Sequence, residues 1–179
     1  MINIEQQNEI VVVRPKNNFD TNKDLTNFEL ANLQSSAHEY TDKKGGEQLF
    51  GAINQSDLES GSYKSWFESG YNQYKPDAKL IEQLRPKLAD NSIKIIMATW
   101  CVDTQRDVPI FLKILDEAEF PKSQLQIIAV KHDKKIPGGK KIAWVPTFII
   151  SRNGQEKGQI GERPGRGQEF EKDLLALVS

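Results

Sequence analysis

The strongest pattern along the chain is a change of hydrophobic period around position 101. Residues 93–98 form a short, mostly apolar run with β-branched Ile93, Ile95 and Ile96, which predicts a buried central strand. Beyond position 101, Val108, Phe111, Leu112, Ile114 and Leu115 recur at spacings of three and four, one face of a helix. That helix starts at Val102 or Asp103 and ends at Phe120-Pro121. Residues 124–130 then read as a second buried strand, parallel to the first through a right-handed crossover.

The chain before this unit has a different texture. Residues 9–13 predict a strand that Pro15 ends, and residues 16–24 are rich in Asn, Lys and Asp and read as loop. Leu25, Phe28, Leu30, Leu33 and Ala37 fall near helical spacing and predict an amphipathic helix through about His38. The polar stretch 41–46, ending in Gly-Gly, reads as a flexible connection. A further helix is predicted around 63–74, with Trp66, Phe67, Tyr71 and Tyr74 on a face suited to packing on the main domain or to a partner. Asp77 is a candidate N-cap for a helix carrying Leu80, Ile81, Leu84 and Leu88, with Pro86 loosening its last turn. Residues 131–143 hold five lysines and His132 but are broken by Pro137, Gly138 and Gly139, so a loop with at most a short helical piece is expected. A last helix follows with Phe170, Leu174, Leu175 and Leu177.

At 179 residues the chain suits one domain with an extension, here divided as 1–75 and 76–179. Lys plus Arg number 24 against 25 Asp plus Glu, a net charge of −1, so no global basic field points to nucleic acid. One cysteine excludes a disulfide framework, and His38 and His132 have no ligand-spaced partners, so neither metal nor cofactor is expected. No apolar run approaches the roughly 18 residues of a membrane span. The N-terminus lacks the basic and apolar regions of a secretory leader. The expectation is a cytoplasmic protein that does not enter a membrane; removal of a leader from the native chain would make it extracytoplasmic instead. Oligomeric state is left open by the sequence.

The lone cysteine, Cys101, sits where the predicted strand gives way to the predicted helix. A thiol there faces unpartnered backbone N–H groups and the positive end of the helix dipole, conditions that activate it for nucleophilic exchange. The alternative is an inert buried cysteine. At Trp100-Cys101-Val102-Asp103-Thr104 the sequence resembles the thioredoxin superfamily, whose active-site turn is Trp-Cys-x-x-Cys between a central strand and a helix. The resemblance extends to Pro109, eight residues after the cysteine, and to Val145-Pro146-Thr147, where Pro146 stands 45 residues after it at the place of the family's cis-proline. Phe148-Ile149-Ile150, a turn at Asn153-Gly154, a strand through Ile160 and the last helix match the family's terminal hairpin and helix. The nearest flavour is a bacterial group whose turn reads Trp-Cys-x-Asp-Ser/Thr and runs on into Arg-acid-Val-Pro, here Arg106-Asp107-Val108-Pro109.

The resemblance implies an α/β thioredoxin-like fold, a central mixed sheet flanked by helices, with a mainly helical N-terminal extension. It implies that Cys101, Thr104 and Pro146 carry the chemistry. Trp100, Val145 and Thr147 would contact substrate, and Asp103 and Arg106 would modulate the thiol, Arg106 pairing Asp103 at the i,i+3 spacing. Thr104 replaces the second, resolving cysteine, so an internal disulfide at this site is impossible. Its hydroxyl either donates to the sulfur or is an ordinary first-turn threonine. Arg106 and Asp107 otherwise read as a solvated helix face, and His132 as a general base only if it folds back onto the thiol. The lysines of 131–143 read either as a solvated basic loop or as an anion-attracting rim that steers acidic partners, and Arg163 and Arg166 would border the groove. The function implied is monothiol thiol–disulfide exchange with protein or low-molecular-weight thiols, isomerase-like. The alternative is a redox-inactive peptide-binding module on the same fold, so enzyme status stays open. Thiol peroxidase chemistry is disfavoured, since no Pro-x-x-x-Thr-x-x-Cys run occurs.

Overall fold

The structure is a computed structural model that describes residues 11–12, 37–136, 139–161 and 169–179. Its strands are β1 (Val11–Val12), β2 (His38–Thr41), β3 (Glu47–Ile53), β4 (Asn91–Met97), β5 (Leu125–Ala129), β6 (Thr147–Arg152) and β7 (Gln155–Ile160). They form one sheet in the order β1-β2-β3-β5-β4-β6-β7. Only β4 and β5 pair in parallel; every other neighbouring pair is antiparallel. The helices are α1 (Gln55–Leu58), α2 (Lys64–Gln73), α3 (Ala78–Leu88), α4 (Val102–Glu117) and α5 (Phe170–Val178). This is the expected α/β architecture, a mixed sheet flanked by helices.

Alternation along the strands sorts side chains between two faces. Ile93, Ile95 and Met97 of β4 join Ile127, Ala129, Phe148, Ile150 and Ile160 in the main core, with the buried side chains of all five helices. Phe111 of α4 stacks on Phe148 at 4.2 Å, and both meet Phe170 of α5 edge-on at about 5.5 Å. Ile96 and Ala98 point the other way, into a smaller cluster with Ile128, Val130 and Val145 that also includes Trp100, Cys101, Ile136 and Ile142.

The first half of the chain departs from its sequence reading. The helix predicted through His38 lies mostly outside the described residues, and its last position is instead the first residue of β2. Residues 41–46 are a closed hairpin turn, not a loose connection. Asp42 N–H donates to Gly46 O at 2.8 Å, and the Asp42 carboxylate accepts from Lys44 N and Gly46 N. Those bonds, that from Gly46 foremost, hold the Asp42 carboxyl below the usual carboxylate range. Strand β3, unread in the sequence, carries the hairpin into the sheet against β5. Of the strand predicted at 9–13, Val11–Val12 is described and is the sheet's edge. So within 37–74 the extension is a hairpin followed by helices.

The aromatic face of 63–74 packs inward. Phe67 and Tyr63 are buried in the main core, and α2 lies against α4. Tyr71 donates to Asp116 Oδ2 at 2.5 Å, where Gln55 and the Lys122 ammonium also converge. Burial alone raises the Asp116 carboxyl; hydrogen bonds from Lys122 and Tyr71 outweigh it and hold it low. Tyr74 donates to Glu171 at 2.7 Å, and Glu171 also accepts Asp77 N–H, tying α2 and the start of α3 to α5. Asp77 caps α3 as predicted, accepting from Lys79 N and Leu80 N.

Gly70 is where α2 crosses α4, since a Cβ there would lie 3.0 Å from Pro109 Cβ. Helix propensity alone makes Gly70→Ala stabilising by about 1 kcal/mol, but the proline ring is held by its own backbone and overpacking costs about 1–3 kcal/mol. Gly70→Ala is therefore expected to lower stability by about 1 kcal/mol in urea denaturation. Burial first, then hydrogen bonding to Asp116 and Glu171, pushes the Tyr71 and Tyr74 phenols above their ordinary range. The folded chain thus holds these protons more tightly than the unfolded one. Their contribution is complete below about pH 10 and is lost as pH rises further. Urea titrations from about pH 8 to 11 should show that loss, and the Tyr71→Phe/Tyr74→Phe double variant, less stable at pH 8, should show a flatter alkaline slope.

Candidate functional site

β4 delivers the chain to Ala98 with no exposed surface, and the next six residues convert an extended strand into a helix. Cys101 N–H donates to Ala98 O at 3.0 Å, closing the turn. Ala98 N–H donates to Thr104 Oγ1 at 3.3 Å, and Gln105 Nε2 donates to Thr99 O at 2.8 Å. Cys101 is the N-cap residue of α4, in extended conformation (φ −91°, ψ 124°), and its side chain makes no capping bond to the helix. Instead the thiol, partly exposed, donates from Sγ to Val145 O at 3.2 Å.

That contact joins two parts of the chain 44 residues apart. The Val145-Pro146 peptide bond is cis. Val145 and Pro146 are buried, and Thr147, also buried, donates from Oγ1 to Trp144 O at 2.8 Å. Cys101, Val145, Pro146 and Thr147 are therefore adjacent. Thr104 is wholly buried behind the turn, and its oxygen is taken by Ala98 N–H; no hydrogen bond joins it to Cys101. Its observed contact is the first-turn structural one.

Trp100 is half-buried, its indole N–H donating to Val130 O at 3.3 Å and its ring stacked on His132 at 4.4 Å and 12°. His132 Nδ1 lies 3.5 Å from Tyr40 OH of the hairpin. It folds onto the tryptophan and not onto the thiol, so the general-base placement does not occur. Arg106 pairs Asp103 at 2.8 Å, the expected i,i+3 contact, and also grips Asp107 with two bonds of 2.7 and 2.8 Å. Asp107 is buried, which corrects its reading as part of a solvated face; Arg106 neutralises it there. Hydrogen bonding to Asp107, with the charges of Asp107 and Asp103, raises the guanidinium above its ordinary range. Arg163 and Arg166 lie outside the described residues.

Three features of the site were not read from the sequence. Thr99, buried, accepts Leu49 N–H at 3.1 Å and donates to Gln48 Oε1 at 2.7 Å, so the β2–β3 hairpin is bonded to the residue before Trp100. Gln48 in turn donates to Asp42 at 3.0 Å. Val102 and Trp144 are the large apolar side chains that stay exposed among the described residues, at 74% and 61%. One follows Cys101 and the other precedes Val145. The available signal was adjacency to the two motifs. Among the described residues no group of three His, Cys, Asp or Glu is placed to hold a metal ion, and no helix is long and apolar enough to cross a membrane.

A central β4 and β5 in parallel, an antiparallel β6–β7 hairpin, and a cysteine at the N-terminal boundary of the helix after β4, beside a cis-proline peptide, define a thioredoxin-like protein. The comparisons agree. The family model described as thioredoxin matches residues 55–175, and the chain belongs to this family. It is 34% identical over 71 residues to a Dictyostelium discoideum protein named "Putative thioredoxin-5", a match spanning 40% of this chain and 68% of that one. No solved structure matches it significantly.

Thr99→Val keeps the shape but leaves Leu49 N–H without its acceptor and Gln48 Oε1 without its donor. A cost of about 1–3 kcal/mol is expected in chemical denaturation. Faster hydrogen exchange at the Leu49 amide distinguishes loss of this tie from general loosening.

Proposed function

We propose that the protein carries out monothiol thiol–disulfide exchange through Cys101. The observation that carries the reading is the Sγ–Val145 O contact of 3.2 Å, which sets a partly exposed thiol at a helix start against the Val145-Pro146 backbone. Attack by the Cys101 thiolate on a partner disulfide forms one S–S bond as the partner's own breaks. The leaving sulfur departs with the electron pair and takes a proton from solvent. Since Thr104 stands where a resolving thiol would, a second, external thiol must attack the mixed disulfide and return Cys101 to the thiol form. Proteins and low-molecular-weight thiols or disulfides are the partners this chemistry admits. A reducing, cytoplasmic compartment suits it, because it keeps a lone thiol free.

In this scheme Trp100 walls the sulfur, and the backbone at Val145, Pro146 and Thr147 is the edge against which a partner segment lies. Thr104 fixes the turn that aims the thiol. Arg106 draws the Asp103 carboxylate to itself at 2.8 Å, so that its charge is compensated near the sulfur. A second reading, a peptide-binding module in which the cysteine is incidental, is favoured by one observation, the exposure of Val102 and Trp144 on either side of Cys101.

With 2,2′-dipyridyl disulfide at pH 7, the wild-type chain is expected to release one pyridinethione per chain at least about five times faster than free cysteine, and Cys101→Ser none. A wild-type rate no greater than that of free cysteine removes the exchange reading. Partner binding unaltered in Cys101→Ser then favours the binding module.

A further inference from the structure

Residues 131–143 occupy the span between β5 and the Val145-Pro146 peptide, and their described parts form a small antiparallel arm. Lys135 bridges Lys141, Ile136 N–H donates to Lys140 O at 3.0 Å, and Ile142 N–H to Lys134 O at 2.9 Å. Side chains alternate across it. Ile136 and Ile142 turn inward to the cluster that holds Trp100, Cys101 and Val145, while Lys135, Lys140 and Lys141 are exposed.

These three lysines make no ion pair among the described residues. Lys134 reaches back to Ala143 O at 3.2 Å, and Lys131 lies over the Tyr40 and Phe50 rings at 4.9 and 4.5 Å. The one carboxylate on the arm, Asp133, accepts Lys135 N–H at 3.1 Å. Five lysines thus face one aspartate in a chain whose total charge is −1. Burial first and then the charge of Lys140 lower the half-buried Lys94 ammonium below its ordinary range, with Glu156 opposing them. The arm ends on Trp144, 61% exposed, directly before the carbonyl that meets Sγ, and Val102 lies exposed on the helix side of the same sulfur.

We propose that this lysine arm, with Trp144 and Val102, docks acidic polypeptide segments and presents their cysteine sulfur to Cys101. Resting on the exchange reading above, it adds the substrate class. Lys135, Lys140 and Lys141, which make no ion pair among the described residues, stand beside an apolar contact and so attract a segment with Asp or Glu flanking a cysteine and repel a basic one. The apolar pair then holds whatever the field delivers.

The test uses the full chain and two peptides of matched length whose single cysteine, flanked by glutamates or by lysines, is activated as a thionitrobenzoate disulfide. Attack by Cys101 forms the protein–peptide S–S bond, breaks the peptide–thionitrobenzoate bond and expels thionitrobenzoate with the electron pair. At low salt the acidic peptide is expected to react about ten times faster than the basic one. The ratio should fall towards one at about 0.5 M salt. In Lys135→Glu/Lys140→Glu/Lys141→Glu it should invert, and in the corresponding glutamine triple variant it should fall near one. Equal rates, or a faster basic peptide, in a wild-type chain that reacts normally with dipyridyl disulfide overturn the docking proposal and leave the exchange reading standing. Binding of the reduced peptides to Cys101→Ser, read from the anisotropy of a fluorophore on the peptide, tests docking without the chemistry. A tenfold preference for the acidic peptide supports the proposal even if the thiol proves unreactive, and no preference overturns it.

Discussion

Where β4 ends, the chain must leave the buried stretch Ile95 to Ala98 and enter a helix within six residues, and no buried polar group on the way can lose its partner without a cost of 1–3 kcal/mol each, roughly. The turn meets this constraint with side chains drawn from its own sequence. Thr104 takes Ala98 N–H, Gln105 supplies Thr99 O, and Thr99 spends its hydroxyl on the backbone and side chain of the neighbouring hairpin. With those groups satisfied, Cys101 is the residue left over. Its sulfur is free to reach across to Val145, and the position of the thiol follows from the hydrogen bonding of the residues around it.

The two faces of the sheet divide the work. On one, the helices and the Phe111–Phe148–Phe170 cluster supply the apolar burial that holds β4 at the centre. On the other, Ile96, Ala98, Ile128 and Val130 meet the arm that precedes Pro146, together with Trp100 and Cys101. The thiol therefore sits at a seam, anchored by a rigid helix on one side and by a short polar arm on the other. The hairpin of β2 and β3 reinforces the seam through Thr99 and through the contact of Tyr40 OH with His132, whose ring stacks on Trp100.

Sequence pattern was legible wherever one period ran long enough in one environment. The strand at 93–98 and the helix bearing Val108 to Leu115 are buried on consistent faces, and their bounds came within about three residues of the structure. The hairpin was not legible, for physical reasons. β2 has four residues with one buried side chain, Tyr40, and an inward position of β3 is Gly51, at φ +95°. That left-handed backbone suits glycine and reads in sequence as a breaker. What makes β3 a strand of the main sheet is pairing with β5, more than 70 positions later, which no local window contains, and β2 then pairs onto β3. Asp107 misled for a similar reason. A carboxylate reads as solvent-facing until its neighbour is seen to fold over it with two hydrogen bonds.

Thr104 draws these threads together. A second thiol at this position would lie as deeply buried as the threonine does, behind the turn and one helical turn from Cys101, and a sulfur accepts a hydrogen bond from a buried amide poorly. Threonine gives Ala98 N–H a proper acceptor while remaining wholly buried. The exchange of cysteine for threonine therefore trades internal resolution for a firmer turn. On the proposed exchange, the lifetime of a mixed disulfide is set by the access of an external thiol, and the exposed side chains nearest the cysteine in sequence and fold are Val102 and Trp144. On that proposal, control over the chemistry moves from the helix, where a resolving cysteine would exert it, to the surface that decides which molecules approach.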